Sequence, residues 1–437
     1  MAGIFKAYDI RGIYPKELNE ETAYLIGRAF VLEEKMKKVV VGRDCRTSSP
    51  QLMQSLKKGI CDQGADVVDI GLTSTPMFYF AVVYYGFSGC IMVTARHNPK
   101  EYNGAKMVRA QAMPLSYEDG IRQIEQTVKL GLPLAQGKYG KKESKEVLPD
   151  YVKHILKFAN VQGLKIVVDS ANGMAGLTFP EVYKKLNLQV THIFKDLDGS
   201  FPNHEPDPLK PENCQALQKE VKRQKADIGI CFDADADRVI FIDEKSDIVS
   251  SDLILILLAQ EQKKLDPKSR LIYDCRSTQV IKELFGPSAI EHRVGHTYIK
   301  KSMRDLDVPL AGELSGHFYF KDSFFFDDAV LAAIKVLTII SKAQKPLSEL
   351  IRPFQRYHKS PETNFHVPSP QDSIRKIESH FKDLKIERID GITIKGKGFW
   401  FNARASNTEP VLRIVMEADT GSLLKEKMNL VRSIIIS

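Results

Sequence analysis

The amino-acid sequence predicts an α/β protein: three similar α/β domains with mixed sheets, followed by a C-terminal α+β domain. Three observations point there. Short apolar runs alternate with helix-period segments up to about residue 350. The order of strand, polar loop and helix returns three times, which is the grammar of βαβ units. The chain of 437 residues also exceeds what one core organises, since single cores stop growing near roughly 250–300 residues.

The first domain, residues 1–146, opens its pattern with the helical "ETAYLIGRAFVLEEK" and the apolar "KVVVG". A helix then begins at Ser49 and Pro50, where a serine side chain caps and a proline gives up an amide hydrogen that has no partner in a first turn. "ADVVDIG", "TPMFYFAVVYYG" and "GCIMVTA" follow, and this alternation of short apolar runs with helical patterns implies βαβ units and a largely parallel sheet. The second domain, 147–246, reads "GLKIVVDSANGMAG", "FPEVYKKL", "LQVTHIF" and "ADIGICFDADADRVIFIDE". The third, 247–357, reads "SDLILILLAQEQKK", "RLIYDCRST", "STQVIKELFG" and "VPLAGELSGHFYF". In each, a polar loop follows a buried strand at the carboxyl edge of a sheet, where ligands collect in open α/β folds. The fourth domain, 358–437, follows the polar connector "QRYHKSPETNFHV" and sets strands "ITIKGKGFWFNAR" and "PVLRIVMEA" between two amphipathic helices.

Composition narrows the function. Lys and Arg number 63 against 55 Asp and Glu, and this excess of +8 is spread along the chain, so it favours an anionic small ligand over nucleic acid. The six cysteines form no CxxC pair, which argues against a zinc ribbon or a disulfide framework and fits a reducing cytoplasm. "MAGIFKAYDIRG" lacks the layout of a signal peptide, and the apolar runs are too short or too charged to span a membrane.

Four loops carry chemistry. "CFDADADRV" sets Asp233, Asp235 and Asp237 at alternate positions, with Arg238 next. Three carboxylates so close repel one another, and a hard divalent cation such as Mg²⁺ is the usual compensation. An exposed acidic turn and a nucleophilic aspartate of the haloacid-dehalogenase kind remain alternatives. "AGELSGH" offers Glu313, Ser315 and His317, a set suited to sugar hydroxyls. "ARASNTEP" offers Arg404, Ser406, Asn407 and Thr408, which suit a phosphate as well as they suit a plain turn. "TARHNPKEYNGAKM" places Arg96 and His97 side by side. Tyr8, Arg11, Arg43, Arg46 and Lys106 would add to its positive charge if their segments converge.

These loops, together with "AYDIRG", "VGRDCRTSSP", "VDSANGMAG", "FPNHEPDP", "VGHTYIKKSM" and "FDDAVLAA", resemble the α-D-phosphohexomutase superfamily in its phosphomannomutase/phosphoglucomutase branch. The resemblance runs over nearly the whole chain. It implies four domains around a central cleft and interconversion of hexose 1-phosphate and hexose 6-phosphate, of mannose and/or glucose, through a bisphosphorylated sugar. It also implies Mg²⁺ on Asp233, Asp235 and Asp237, with Arg238 beside it, and hexose 1,6-bisphosphate as activator and intermediate. Glu313, Ser315 and His317 would grip sugar hydroxyls, and Arg404, Ser406, Asn407 and Thr408 the distal phosphate. Lys106 and His296 resemble proton-transfer and cleft residues, while Tyr8, Arg11 and Arg276 resemble cleft contacts. The implied partner is a small phosphosugar, with monomer or dimer left open.

One position departs from the pattern. The motif of that family is Thr-Ala-Ser-His-Asn-Pro, whose serine carries the transferable phosphate, and Arg96 stands in its place. A guanidinium stays protonated and is no nucleophile, whereas a phosphoserine carries about two negative charges. Arg96 is therefore expected either to pair with the three aspartates in place of a cation or to point into the cleft as a phosphate clamp. Thr94 and His97 are the nearby groups that could take phosphate instead. The alternative function is a catalytically impaired phosphosugar-binding or regulatory homologue.

Overall fold

The structure is a computed structural model that describes residues 3–131, 137, 139–405 and 411–436. The chain divides into two compact units, Met1–Ser250 with Ser315–Ser348, and Ser251–Leu314 with Glu349–Ser437.

In the first unit a mixed sheet runs in the order Ile10–Ile13, Tyr102–Arg109, Gly89–Val93, Lys38–Arg43, Asp66–Leu72 and Lys142–Ser144. The last four of these pair in parallel. Tyr102–Arg109 lies antiparallel to both Gly89–Val93 and Ile10–Ile13. The near-continuous apolar runs of the central strands follow from burial on both faces, and Val39, Val40, Val41, Ile91 and Met92 are fully enclosed.

Helix Glu20–Glu33 is capped by Asn19, whose side chain accepts from Thr22 N at 2.9 Å. Helix Ser49–Asp62 differs from the sequence expectation. Ser49 lies inside the first turn and gives its hydroxyl to Asp44 Oδ1 at 2.5 Å, and Ser48, at the boundary, makes no side-chain cap. The charged acceptor two residues before Arg46 outcompetes the helix amides for that hydroxyl. The two helices touch backbone to backbone. A Cβ on Gly59 would lie 2.1 Å from Tyr24 O, and one on Gly27 2.4 Å from Leu56 O. Gly59→Ala is thus expected to cost about 1–3 kcal/mol or more by forcing the helices apart, read as a lower denaturant midpoint.

Helix Thr75–Tyr84 is apolar around its circumference, so it is buried almost throughout, and Ser74 caps it through Met77 N at 3.3 Å. The second sheet of this unit runs Ile248–Val249, Val239–Asp243, Ile228–Phe232, Gln162–Asp169 and Asn187–Ile193. Its last three strands are parallel, and Val239–Asp243 folds back antiparallel on Ile228–Phe232. The aspartate loop is the turn between those two strands. An antiparallel pair, Phe318–Phe320 with Phe326–Asp327, and helix Ala329–Ala343, capped by Asp328 through Leu331 N, complete the unit.

The second unit holds three parallel strands, Ala289–His292, Leu271–Asp274 and Leu310–Gly312, with helices Ser251–Leu265 and His296–Asp305. Its C-terminal sheet is antiparallel, in the order His358–Lys359, Val411–Ala418, Phe399–Ala405, Ile392–Gly396 and Lys385–Glu387. Thr363–His366 also pairs with Val411–Ala418. Helices Pro370–His380 and Gly421–Ile436 close an apolar core around Phe401, Ile414 and Val431. No helix among the described residues is long and apolar enough to cross a membrane.

Candidate active site

The aspartate turn of the first unit is shaped by its own backbone. Asp233 Oδ1 accepts from Asp237 N and Arg238 N, both at 3.1 Å, and Ala236 takes a φ of 58° to close the loop. All three carboxylates are buried, and one oxygen from each falls within 4.8 Å of the others. Burial and the charges of Asp237 and Asp235 push the Asp233 carboxyl well above its ordinary pKa.

Lys106 reaches this cluster from strand Tyr102–Arg109. Its Nζ donates to Asp235 Oδ2 at 2.5 Å, to Asp237 Oδ2 at 2.7 Å and to Thr75 Oγ1 at 2.9 Å. Burial opposes its charge, but Asp235 and Asp237 override that and raise its pKa. Thr75 Oγ1 donates in turn to Asp235 Oδ2 at 2.6 Å, and Thr75 N donates to Asp235 O at 2.9 Å.

Arg96 stands on the other side of Asp237. It is 6% exposed, with a φ of 60°. Its guanidinium lies 3.7 Å from Asp237 Oδ2, 3.7 Å from Asp9 Oδ2 and 3.5 Å from His317 Nε2. Burial opposes the charge, and Asp237, Asp9 and Asp235 more than offset it, so Arg96 is held even more firmly protonated than a free arginine. Asp9 is shared with Arg11, whose guanidinium donates to it at 2.7 Å. Arg238 Nε donates to His317 Nε2 at 3.4 Å, while His317 Nδ1 meets Ser315 Oγ at 3.1 Å. Tyr8 is half-buried beside Asp9.

His97 sits among three of these cations. Burial first, then Arg238, Arg96 and Arg11, hold its pKa well below the ordinary histidine value, so its ring is neutral. Its Nδ1 is buried and has no hydrogen-bond partner among the described residues. Thr94 is 2% exposed, and its hydroxyl oxygen accepts from Arg96 N at 3.0 Å, so it faces the loop backbone. The loop is fixed by Arg46, which is fully buried. Its guanidinium donates to the carbonyls of Pro99, Tyr102, Arg96 and Asn98 at 2.7, 3.1, 2.7 and 2.5 Å, and Asp44 balances its charge at 3.3 Å. Arg43 turns to Asp44 O instead.

The second unit gathers a different set. Asp274 Oδ1 accepts from Arg276 N and Nε, and Asp274 Oδ2 from Arg276 NH2 at 2.7 Å and Leu314 N at 2.8 Å. Arg276 NH1 and Arg404 NH2 both donate to Glu362 Oε2, at 3.2 and 2.9 Å, and Arg413 lies 3.6 Å from Glu362 Oε1. Glu313 Oε1 accepts from Gly295 N at 3.0 Å, next to His296, the first residue of its helix. Ser406, Asn407 and Thr408 lie outside the described residues.

Comparison with known proteins decides the family. Four matches run in order along the chain. These are phosphoglucomutase/phosphomannomutase alpha/beta/alpha domains I, II and III over residues 2–131, 149–246 and 250–357, and the C-terminal domain over 362–432. The chain belongs to the phosphoglucomutase/phosphomannomutase family. Phosphomannomutase of Methanocaldococcus jannaschii is 38% identical over 99% of this chain and 97% of its own. Phosphomannomutase/phosphoglucomutase of Pseudomonas putida is 38% identical, over 98% and 95%. The crystal structure of a phosphoglucomutase/phosphomannomutase family protein from Burkholderia thailandensis superposes with a TM-score of 0.90 at 33% identity, covering 99% of this chain and 96% of that one.

In this phosphoglucomutase/phosphomannomutase chain the aspartate turn fits a hard divalent cation. Asp233 Oδ2 and Asp235 Oδ1 are buried without a hydrogen-bond donor among the described residues, and Asp237 Oδ1 faces the His317 ring at 3.3 Å. Buried carboxylate oxygens left without donors are costly, and a cation satisfies them together. Lys106 already holds the opposite oxygens of Asp235 and Asp237, so it leaves that face open.

Sequence reasoning missed four contributors to these sites. Asp9 and Asp274 each stand two residues before an arginine already singled out, so an i, i+2 acid-to-base spacing was the available signal. Thr75 stands at the start of the apolar segment "TPMFYFAVVYYG" and Glu362 in the polar connector, and neither position carried a signal of its own. Glu362 also predicts a pH dependence. Burial raises its carboxyl pKa, but Arg276 and Arg404 prevail and lower it to about 2 from 4.5. A depressed carboxyl stabilises the fold above its unfolded pKa, so about 3 kcal/mol is fully present above pH ~4.5 and is lost as pH falls toward ~2. Acid titration of melting temperature is expected to be shallower in Glu362→Gln than in the wild type over that window.

Proposed function

We propose that the chain binds mannose and/or glucose phosphates at a phosphohexomutase site, and that Arg96 impairs the interconversion of hexose 1-phosphate and hexose 6-phosphate through the bisphosphorylated sugar. The observation that carries this reading is the Arg96 guanidinium, buried between Asp9 and Asp237 where the motif of the family has its serine. A protonated guanidinium offers a phosphoryl group no lone pair, but it offers phosphate oxygens two or three donors. Arg11, Arg96 and Arg238 therefore bind and orient phosphoryl oxygens. Asp233, Asp235 and Asp237 would hold Mg²⁺, which would supply positive charge to offset that of a phosphoryl group. Lys106 and His296 serve proton transfer, and Glu313, Ser315 and His317 take the sugar hydroxyls. Arg276, Arg404, Ser406, Asn407 and Thr408 take the distal phosphate, and Tyr8 borders the sugar.

A second reading, turnover by another phosphoryl carrier, is favoured by one observation. His97 is a neutral imidazole beside three arginines with Nδ1 uncommitted, which is the form in which a histidine accepts phosphate. Calorimetry with glucose 1-phosphate and mannose 1-phosphate in Mg²⁺, paired with a coupled assay primed by glucose 1,6-bisphosphate, separates the readings. Binding in the micromolar range without turnover is expected. Absence of both heat and thermal stabilisation rejects the phosphosugar ligand, and turnover at the rates ordinary for enzymes rejects impairment.

A further inference from the structure

We propose that Glu362 is a resident anion in the Arg276, Arg404 and Arg413 cluster, and that a phosphate monoester binds there by taking its place, so that Glu362 sets the affinity of the site. The inference depends on the reading above only for the identity of the phosphate bearer, a hexose phosphate.

Three guanidiniums gather around Glu362, and a second carboxylate beside them, Asp274, is already engaged by Arg276 Nε, Arg276 NH2 and the amides of Arg276 and Leu314. Glu362 is shared among all three arginines. Its Oε2 is divided between Arg276 NH1 at 3.2 Å and Arg404 NH2 at 2.9 Å, and Oε1 stands 3.6 Å from Arg413. Glu362 therefore gives none of them the two-pronged pairing that arginine forms best with an oxyanion. Arg404 is 5% exposed, and its buried Nε has no acceptor among the described residues. A buried donor without an acceptor marks a place where another anionic oxygen is wanted.

A phosphate monoester repairs each of these deficits. It brings about two negative charges against the single charge of a carboxylate, and three terminal oxygens against two. Glu362 can yield because its side chain retains 24% exposure and sits in the polar connector just before strand Thr363–His366, so it reaches water on displacement. The carboxylate keeps the arginines from repelling one another while no ligand is bound, and it competes with phosphate for the same hydrogens.

The test is calorimetry of inorganic phosphate, then glucose 6-phosphate, on the full chain at fixed ionic strength, with the wild type, Glu362→Gln, and Glu362→Gln combined with Arg404→Gln. Removing the competing charge is expected to tighten phosphate binding by about tenfold or more, and loss of Arg404 to abolish the gain. Unchanged or weaker phosphate binding in a Glu362→Gln protein with wild-type circular dichroism overturns the proposal, as does a gain that survives loss of Arg404. If Glu362→Gln does not fold, a wild-type crystal grown in phosphate decides. Phosphate on Arg276 and Arg404 with Glu362 turned to solvent supports displacement, and Glu362 still bridging both at saturating phosphate refutes it. If glucose 6-phosphate binds no better than inorganic phosphate while the tenfold gain holds, the hexose reading fails and the role of Glu362 stands.

Discussion

Arg96→Ser is expected to raise turnover of glucose 1-phosphate, in Mg²⁺ with catalytic glucose 1,6-bisphosphate, by on the order of 10³-fold or more over the wild type. Single removal of a covalent nucleophile costs enzymes factors of this size, and its return recovers them only when the surrounding groups are in place. Here the groups around position 96 hold one another. Lys106 grips Asp235 and Asp237, Arg11 and Arg238 flank the loop, and Arg46 fixes four carbonyls of the loop that carries residue 96. The substitution would also remove a cation from beside Asp237 and Asp9, so binding of Mg²⁺ is expected to tighten alongside. A variant that folds, binds glucose 1-phosphate and stays inactive would mean that divergence reaches beyond position 96.

Lys106→Met is expected to carry the second large effect, on stability. The ammonium is buried and shared by Asp235 and Asp237, and its removal leaves two buried carboxylates next to a third. Breaking a buried pair from one side costs about 3–5 kcal/mol. Because the deficit is one of positive charge among carboxylates, Mg²⁺ should repair it in part, with about 2.7 kcal/mol regained at a hundred times the dissociation constant. The melting temperature of the variant is therefore expected to fall by several degrees without Mg²⁺ and to respond to Mg²⁺ more steeply than that of the wild type. Equal responses of the two proteins would place the cation elsewhere.

The fold was legible because its signals are local and repeated. Strands such as Gly89–Val93 and Ile228–Phe232 are apolar along their length, and each runs into a loop with charged residues, so the carboxyl edges of the sheets could be read from the chain. The aspartate triplet was legible for the same reason, since the residues that share a charge problem are near neighbours. What the chain did not disclose depends on partners distant in sequence. Arg46 was legible as a cation that could converge on the Arg96 loop, but not its full burial, which follows from the carbonyls of residues 96 to 102 that surround its guanidinium. Glu362 looks like solvated connector until three arginines from separate segments meet it. Ser49 satisfies a capping rule on paper, and the Asp44 carboxylate draws its hydroxyl away. Arg96 was visible as a departure, but not its position between Asp9 and Asp237, which only folding brings to it.

The most direct measurement is the intact mass of the wild-type protein after incubation with glucose 1,6-bisphosphate and Mg²⁺, with Arg96→Ser as the positive control. Absence of any covalent phosphoryl group on the wild type, and its presence at position 96 of the variant, is the predicted result. A phosphoryl group on the wild-type chain, mapped to His97 or Thr94, would contradict it and make the native protein a mutase with a relocated carrier.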